Sequence, residues 1–145
     1  QSAIEHFEND LIFFRNIKKF IDKSGDSIVQ VHLFPSPACL KTYLLHGVRQ
    51  YGFGAISKIL EIFNTKNTHS VLYSLGGSNC NNLHFNFITK PHVLRRTELR
   101  KEKPKEYAEL LKEAIHNDND GITISTFYAL VIYSNFDGSV VKDEF

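Results

Sequence analysis

Apolar residues recur at steps of three and four along the first stretch of the chain: Ile4, Phe7, Leu11, Phe14, Ile17 and Ile21. That spacing predicts one helix with a continuous apolar face. Ser2-Ala3-Ile4-Glu5 fits a capping box at its start, and Ser24-Gly25 ends it. Leu11, Ile12, Phe13 and Phe14 are consecutive, so the apolar surface is wider than one stripe. Ile12 or Phe13 must then face something beyond the main core contact. We expect the helix to be covered on more than one side, by a second copy or by a further domain of a parent protein.

The remaining pattern alternates short β-branched runs with amphipathic ones. Ser27–Phe34 reads as a strand, with Val29, Val31 and Leu33 on one face and Ile28, Gln30, His32 and Phe34 on the other. Pro35-Ser36-Pro37 stops it. Residues 38–45 fit a short helix or a strand. Residues 54–63 read as a helix through Ile56, Ile59, Leu60 and Phe63. Residues 70–75 and 83–89 read as two strands joined by the polar stretch 76–82 as a hairpin. Pro104 suits the first turn of a helix reaching about His116, followed by a turn at 117–121 and a long strand at 122–133. The expectation is an α/β or α+β fold: a small mixed sheet of about four strands packed by three helices. The 145 residues suit a single domain. With no Met at position 1, we expect a fragment or processed part of a longer protein.

Charge is distributed unevenly. Lys90, Arg95, Arg96, Arg100, Lys101, Lys103 and Lys105 stand against Glu98 and Glu102, so this stretch carries +5 in a chain of net charge +1. A collected positive surface attracts phosphate or carboxylate groups. These seven residues are the expected anion-binding site of a non-catalytic module, its partner a nucleic acid or an acidic protein surface. Tyr107, Phe85 and Phe87 would stack bases if they face solvent.

Four other constellations carry chemistry on paper. Arg49-Gln50-Tyr51-Gly52-Phe53-Gly54 resembles the Arg/Gln-x-x-Gly-x-Gly/Ala pyrophosphate loop of acetyl-coenzyme A-dependent N-acetyltransferases. The resemblance implies backbone amides on a pyrophosphate at a helix start, and several strands before the loop. Only 48 residues precede Arg49, and turn-making glycines are the simpler reading. Residues 44–60 also resemble the first two helices of a Myb/SANT repeat, a family packed by tryptophans; this chain has none. Residues 135–144 resemble the second half of a calcium-binding EF-hand loop through Asp137, Gly138 and Glu144, with Tyr133 where the first carboxylate belongs. Asp22–Asp26 has the converse defect, with Leu33 at the bidentate glutamate's place, so calcium is not expected.

Cys80 lies in a polar stretch near His69, His84 and His92, with Asn79, Asn81, Asn82 and Asn86 as orienting groups. A Cys/His hydrolase is the corresponding enzyme alternative. Cys39 and Cys80 are too few for a disulfide scaffold, and the histidines do not form zinc-ligand pairs. No cofactor is expected. No apolar run approaches the ~20 residues that span a bilayer, so no membrane partner is expected either. The ending Lys142-Asp143-Glu144-Phe145 resembles the endoplasmic-reticulum retrieval tetrapeptide with Phe for Leu. Without a signal-peptide pattern, the expected location is intracellular, cytoplasmic or nuclear.

Overall fold

The computed structural model describes residues 4–42, 49–120 and 124–136. The fold is mixed α+β, built on a three-stranded antiparallel sheet in the order β1-β3-β2. Its strands are β1 (Ile28–Pro35), β2 (Thr68–Leu75) and β3 (Phe127–Ser134). Contacts divide the described residues into two compact units, residues 4–34, 51–73 and 129–136 in the first and residues 35–42, 49–50, 74–120 and 124–128 in the second.

The first unit is an aromatic core between helices and sheet. Helix α1 (Asp10–Ser24) starts seven residues later than the capping box predicts, after a 3-10 turn at Ile4–His6. Asn9 moves the start: its side chain accepts from the Ile12 amide at 3.3 Å. Ser2 lies outside the described residues. Gly25, in the left-handed region at φ 70°, ends α1 by donating its N–H to the Ile21 carbonyl.

Of the apolar stripe, Ile4, Phe14 and Ile21 are fully buried, whereas Phe7 is 39 % exposed. Phe13 is half-buried edge-on against Phe7 and Phe14, while Ile12 is half-exposed. Helix α2 (Phe53–Ile62) buries Ile56 and Ile59, with Phe63 just beyond it. The Phe14 ring meets Phe34 and Phe63, and Phe34 meets Tyr51 at 4.5 Å. The Tyr51 hydroxyl donates to the buried Asp10 carboxylate at 2.8 Å, so the polar end of that core is satisfied.

Strand β1 turns its faces the less obvious way. Gln30, His32 and Phe34 are buried beneath α1, and Val29, Val31 and Leu33 face outward. The same holds on β3, where Leu130 and Ile132 are buried.

In the second unit a 3-10 turn (Pro37–Lys41) follows Ser36, whose side chain accepts from the Ala38 amide. The expected strand at 83–89 is helical instead. Helix α3 (Ser78–His84), a π-helical turn (Phe85–Thr89) and α4 (Lys90–Arg95) run on without a break. Two causes override the strand-like alternation of Leu83, Phe85 and Phe87. The Asp118 carboxylate accepts from the Asn79 and Cys80 amides, fixing the first turn of α3. Pro91 has no N–H for the Phe87 carbonyl, and the wide π turn just before it accommodates the lost bond.

Helices α5 (Leu99–Glu102) and α6 (Pro104–Asn119) follow. The predicted turn at 117–121 begins late, because Asp118 is 8 % exposed and its bonds keep residues 117–119 on α6. Strand β3 opens at Phe127, after residues 124–126, since the Ser125 and Thr126 carbonyls are taken by Ser36 and Cys39; residues 122 and 123 of the expected strand lie outside the described residues. Among the described residues the sheet has three strands where about four are expected.

Candidate anion-binding cleft

Lys90 opens α4 directly after the π turn, and Arg95 is one turn and a half further on. Between them Pro91 is buried, and Val93 and Leu94 are 56 % and 69 % exposed. Asn86, Lys90, Pro91, Leu94, Arg95 and Leu99 line a shallow cleft of about 220 Å³. Lys90 and Arg95 thus share the lining with Asn86 and the apolar Pro91, Leu94 and Leu99. Helix α4 closes at Arg96, which sits in the left-handed region at φ 54° and donates its N–H to the His92 carbonyl at 2.9 Å. A non-glycine residue there carries backbone strain, a feature that clusters at functional sites.

The seven cations fall into two groups. Arg100 and Lys101 both bond Glu98, at 2.8 and 3.0 Å, and Lys103 pairs with Glu106 at 3.0 Å. The Lys101 and Arg100 hydrogen bonds hold the Glu98 carboxyl below its ordinary range. Such exposed pairs stabilise little, but they engage three of the seven cations with neighbouring carboxylates. Lys90, Arg95, Arg96 and Lys105 are exposed and make no ion pair among the described residues. The aromatic residues do not form an open stacking platform: Phe87 and Tyr107 are half-buried against each other at 5.6 Å.

Sequence reasoning missed Asn86, Pro91, Leu94 and Leu99, which belong to the cleft as much as its cations do. The signal was present as Val93, Leu94 and Leu99 threaded between the basic residues.

The other candidates lie elsewhere. Cys80 is held against Asp118, which accepts from its amide at 2.9 Å. Burial, then the neighbouring Asp118 carboxylate, pushes the thiol up to about 11, the opposite of an activated nucleophile. For Asp118 burial opposes ionisation, but the Cys80 and Asn79 donors outweigh it and leave the carboxyl below its ordinary range. Asn79 serves that carboxylate, and Asn81 donates to the Ala38 carbonyl. His84 ends α3, His92 lies on α4, and His69 is on β2 in the first unit. Asn82 is exposed on α3. Cys39 is buried, its thiol donating to the Thr126 carbonyl.

Gly52 caps α2 with ordinary extended backbone. Gly54 has an ordinary φ and open space around an added Cβ. Among the described residues one strand, β1, precedes Gly52, where the acetyltransferase resemblance implies several. Strand β2 occupies the place of a Myb/SANT recognition helix. Asp137, Gly138 and Glu144 lie outside the described residues. No described helix is long and apolar enough to cross a membrane.

Comparison with protein-family models, with curated proteins and with solved structures finds no significant match.

Proposed function

We propose that the protein is a non-catalytic binding module whose Lys90–Arg95 cleft takes an acidic segment of a partner protein. The observation that carries this is the pairing of two open cations, Lys90 and Arg95, with the apolar floor of Pro91, Leu94 and Leu99. A carboxylate-bearing segment with one apolar side chain satisfies both features: the acid meets the cations while the apolar group covers Leu94. Exposed apolar residues at an interface core, ringed by charge, are what a protein partner uses. A nucleic acid would use the cations but leave Leu94 and Val93 in water, and it would need aromatic faces that Phe87 and Tyr107 keep for each other. The strained Arg96 and the π turn beside Lys90 support a built site rather than ordinary surface.

The test is a fluorescence-anisotropy titration with a labelled acidic peptide carrying one Leu, alongside a labelled single-stranded oligonucleotide of equal charge. The peptide should bind more tightly, and Arg95→Ala or Leu94→Ser should each weaken it about five- to tenfold. Equal loss from Lys112→Ala, or an oligonucleotide that outcompetes the peptide and is insensitive to Leu94→Ser, would overturn the reading.

A further inference from the structure

We infer that Thr97 is a phosphorylation site whose modification shuts the Lys90–Arg95 cleft to its acidic partner; the regulatory half of this rests on the reading of the cleft given above. Residues 84–105 hold two hydroxyl side chains, Thr89 and Thr97. Thr89 is 6 % exposed, and its hydroxyl donates to the Thr42 carbonyl at 3.3 Å. Tyr107, just beyond, is half-buried against Phe87. Thr97 differs from both. It is exposed, and its hydroxyl makes no hydrogen bond among the described residues.

The backbone leaves this hydroxyl accessible. Helix α4 closes at Arg96 in the left-handed region, and α5 begins only at Leu99. Glu98 between them is extended, at φ −123° and ψ 115°. Phosphoryl transfer needs the attacking oxygen in line with the γ-phosphate. A hydroxyl in an open connector reaches that line with little unwinding, whereas one packed inside a helix does not.

Charge selects the enzyme. Within four positions of Thr97 stand Arg95, Arg96, Arg100 and Lys101, all exposed, against Glu98 alone. Ser57, Ser70, Ser74 and Ser78 are exposed as well, yet none has more than one lysine or arginine in the same window. A kinase with an acidic substrate groove is drawn to the first setting and not to the others. The step breaks the bond between the β–γ bridging oxygen and the γ-phosphorus of ATP and forms one from Thr97 Oγ1 to that phosphorus. The hydroxyl proton passes to the kinase's catalytic base, and ADP leaves.

The product carries about −2 at neutral pH on strong acceptor oxygens. It stands between Arg95 and Leu99, each two residues away and each lining the cleft. Arg95 and Arg96 make no ion pair among the described residues, so they are the cations a phosphate captures first. Arg95 bound to that phosphate no longer meets a partner's carboxylate, and the added charge repels the carboxylate directly. Arg100 and Lys101 change less, since Glu98 already holds them.

The experiment treats the full chain with magnesium-ATP and the catalytic subunit of cyclic-AMP-dependent protein kinase, an arginine-directed enzyme, and in parallel with an acid-directed kinase. Intact mass and fragment masses locate the phosphate. The arginine-directed kinase should add one phosphoryl group, at Thr97, and none there in Thr97→Ala. The labelled acidic, leucine-bearing peptide should then bind the phosphorylated chain at least about tenfold more weakly than the untreated one. Thr97→Ala, treated or not, should bind it as the untreated wild type does. An unmodified Thr97, phosphate placed instead on Ser57, Ser70, Ser74 or Ser78, or faster modification by the acid-directed kinase overturns the site. Phosphate on Thr97 with unchanged peptide affinity overturns the regulation and leaves the cleft reading standing. An untreated chain that ignores the peptide defeats the cleft reading and the regulation together, while the masses still decide the site.

Discussion

The two units are held by different forces. In the first, Phe14, Phe34, Phe63, Tyr51, Ile56, Ile59, Leu130 and Ile132 are buried together, each worth about 1.5–3 kcal/mol of apolar burial. In the second, small polar side chains clip backbone to backbone: Asp118 to Asn79 and Cys80, Asn81 to Ala38, Thr89 to Thr42 and Thr126 to Gly77. Its aromatic and leucine side chains are mostly only half-buried, and Val93, Leu94, Ile115 and Ile124 stay exposed. The difference teaches where stability and recognition reside. The first unit buries most of its aromatics and spends them on its own core, with Phe20 and Phe53 left exposed. A unit clipped by polar bonds keeps leucine and arginine on the outside.

Phe14→Ala gives the largest expected effect. It empties the centre of the first unit and should cost about 3–5 kcal/mol in urea unfolding. An equal loss from a surface control such as Phe20→Ala would break the contrast.

Next comes pH. His32 is 3 % exposed among Phe13, Phe14 and Phe34, its Nε2 3.2 Å from Gln30 Oε1 and its Nδ1 without a hydrogen-bond partner. Burial lowers its pKa from 6.5 to about 4. Above pH 6.5 the ring is neutral folded and unfolded, and its contribution is complete. Between 6.5 and 4 only the unfolded chain takes the proton, so stability falls, by up to about 3 kcal/mol, and levels off below 4. Urea midpoints across pH 4–7 should fall towards acid more steeply for wild type than for His32→Phe, which has no ring proton to gain; parallel curves would remove His32 as the cause.

Asp118→Ala should cost less, about 1–3 kcal/mol, by leaving the Asn79 and Cys80 amides without their acceptor. Hydrogen exchange should rise at residues 79–84 and stay unchanged at 129–134. It should also bring the Cys80 thiol down from about 11, which thiol alkylation against pH would record.

Arg96→Gly should have the smallest effect and the opposite sign. It relieves the left-handed backbone and should stabilise by about 0.5–1 kcal/mol. Acidic-peptide affinity should fall modestly through the lost charge. Gain of stability with loss of binding is the trade expected of a strained functional residue.

How much of this was legible in the sequence follows from the same contrast. Helices α1 and α2, and strands β1 and β2, follow hydrophobic periodicity, because apolar burial is what holds them. The segment 78–89 was misread as a loop and a strand, because its helix is set by a carboxylate 38 or 39 residues away and by a π turn before Pro91. Neither leaves a local pattern. The basic residues were visible from composition alone. Their division was not: Glu98 and Glu106 take three of them, and only the fold leaves Lys90 and Arg95 beside Leu94. The burial of His32 in place of Val31 was equally hidden, since alternation names two faces and not which one is covered.

Amide chemical-shift mapping on the labelled chain tests the central claim most directly. Titrating the acidic, leucine-bearing peptide should move the resonances of residues 86–99 and leave those of 28–34 and 129–134 in place. Shifts confined to the first unit, or spread evenly over every exposed lysine and arginine, would contradict it.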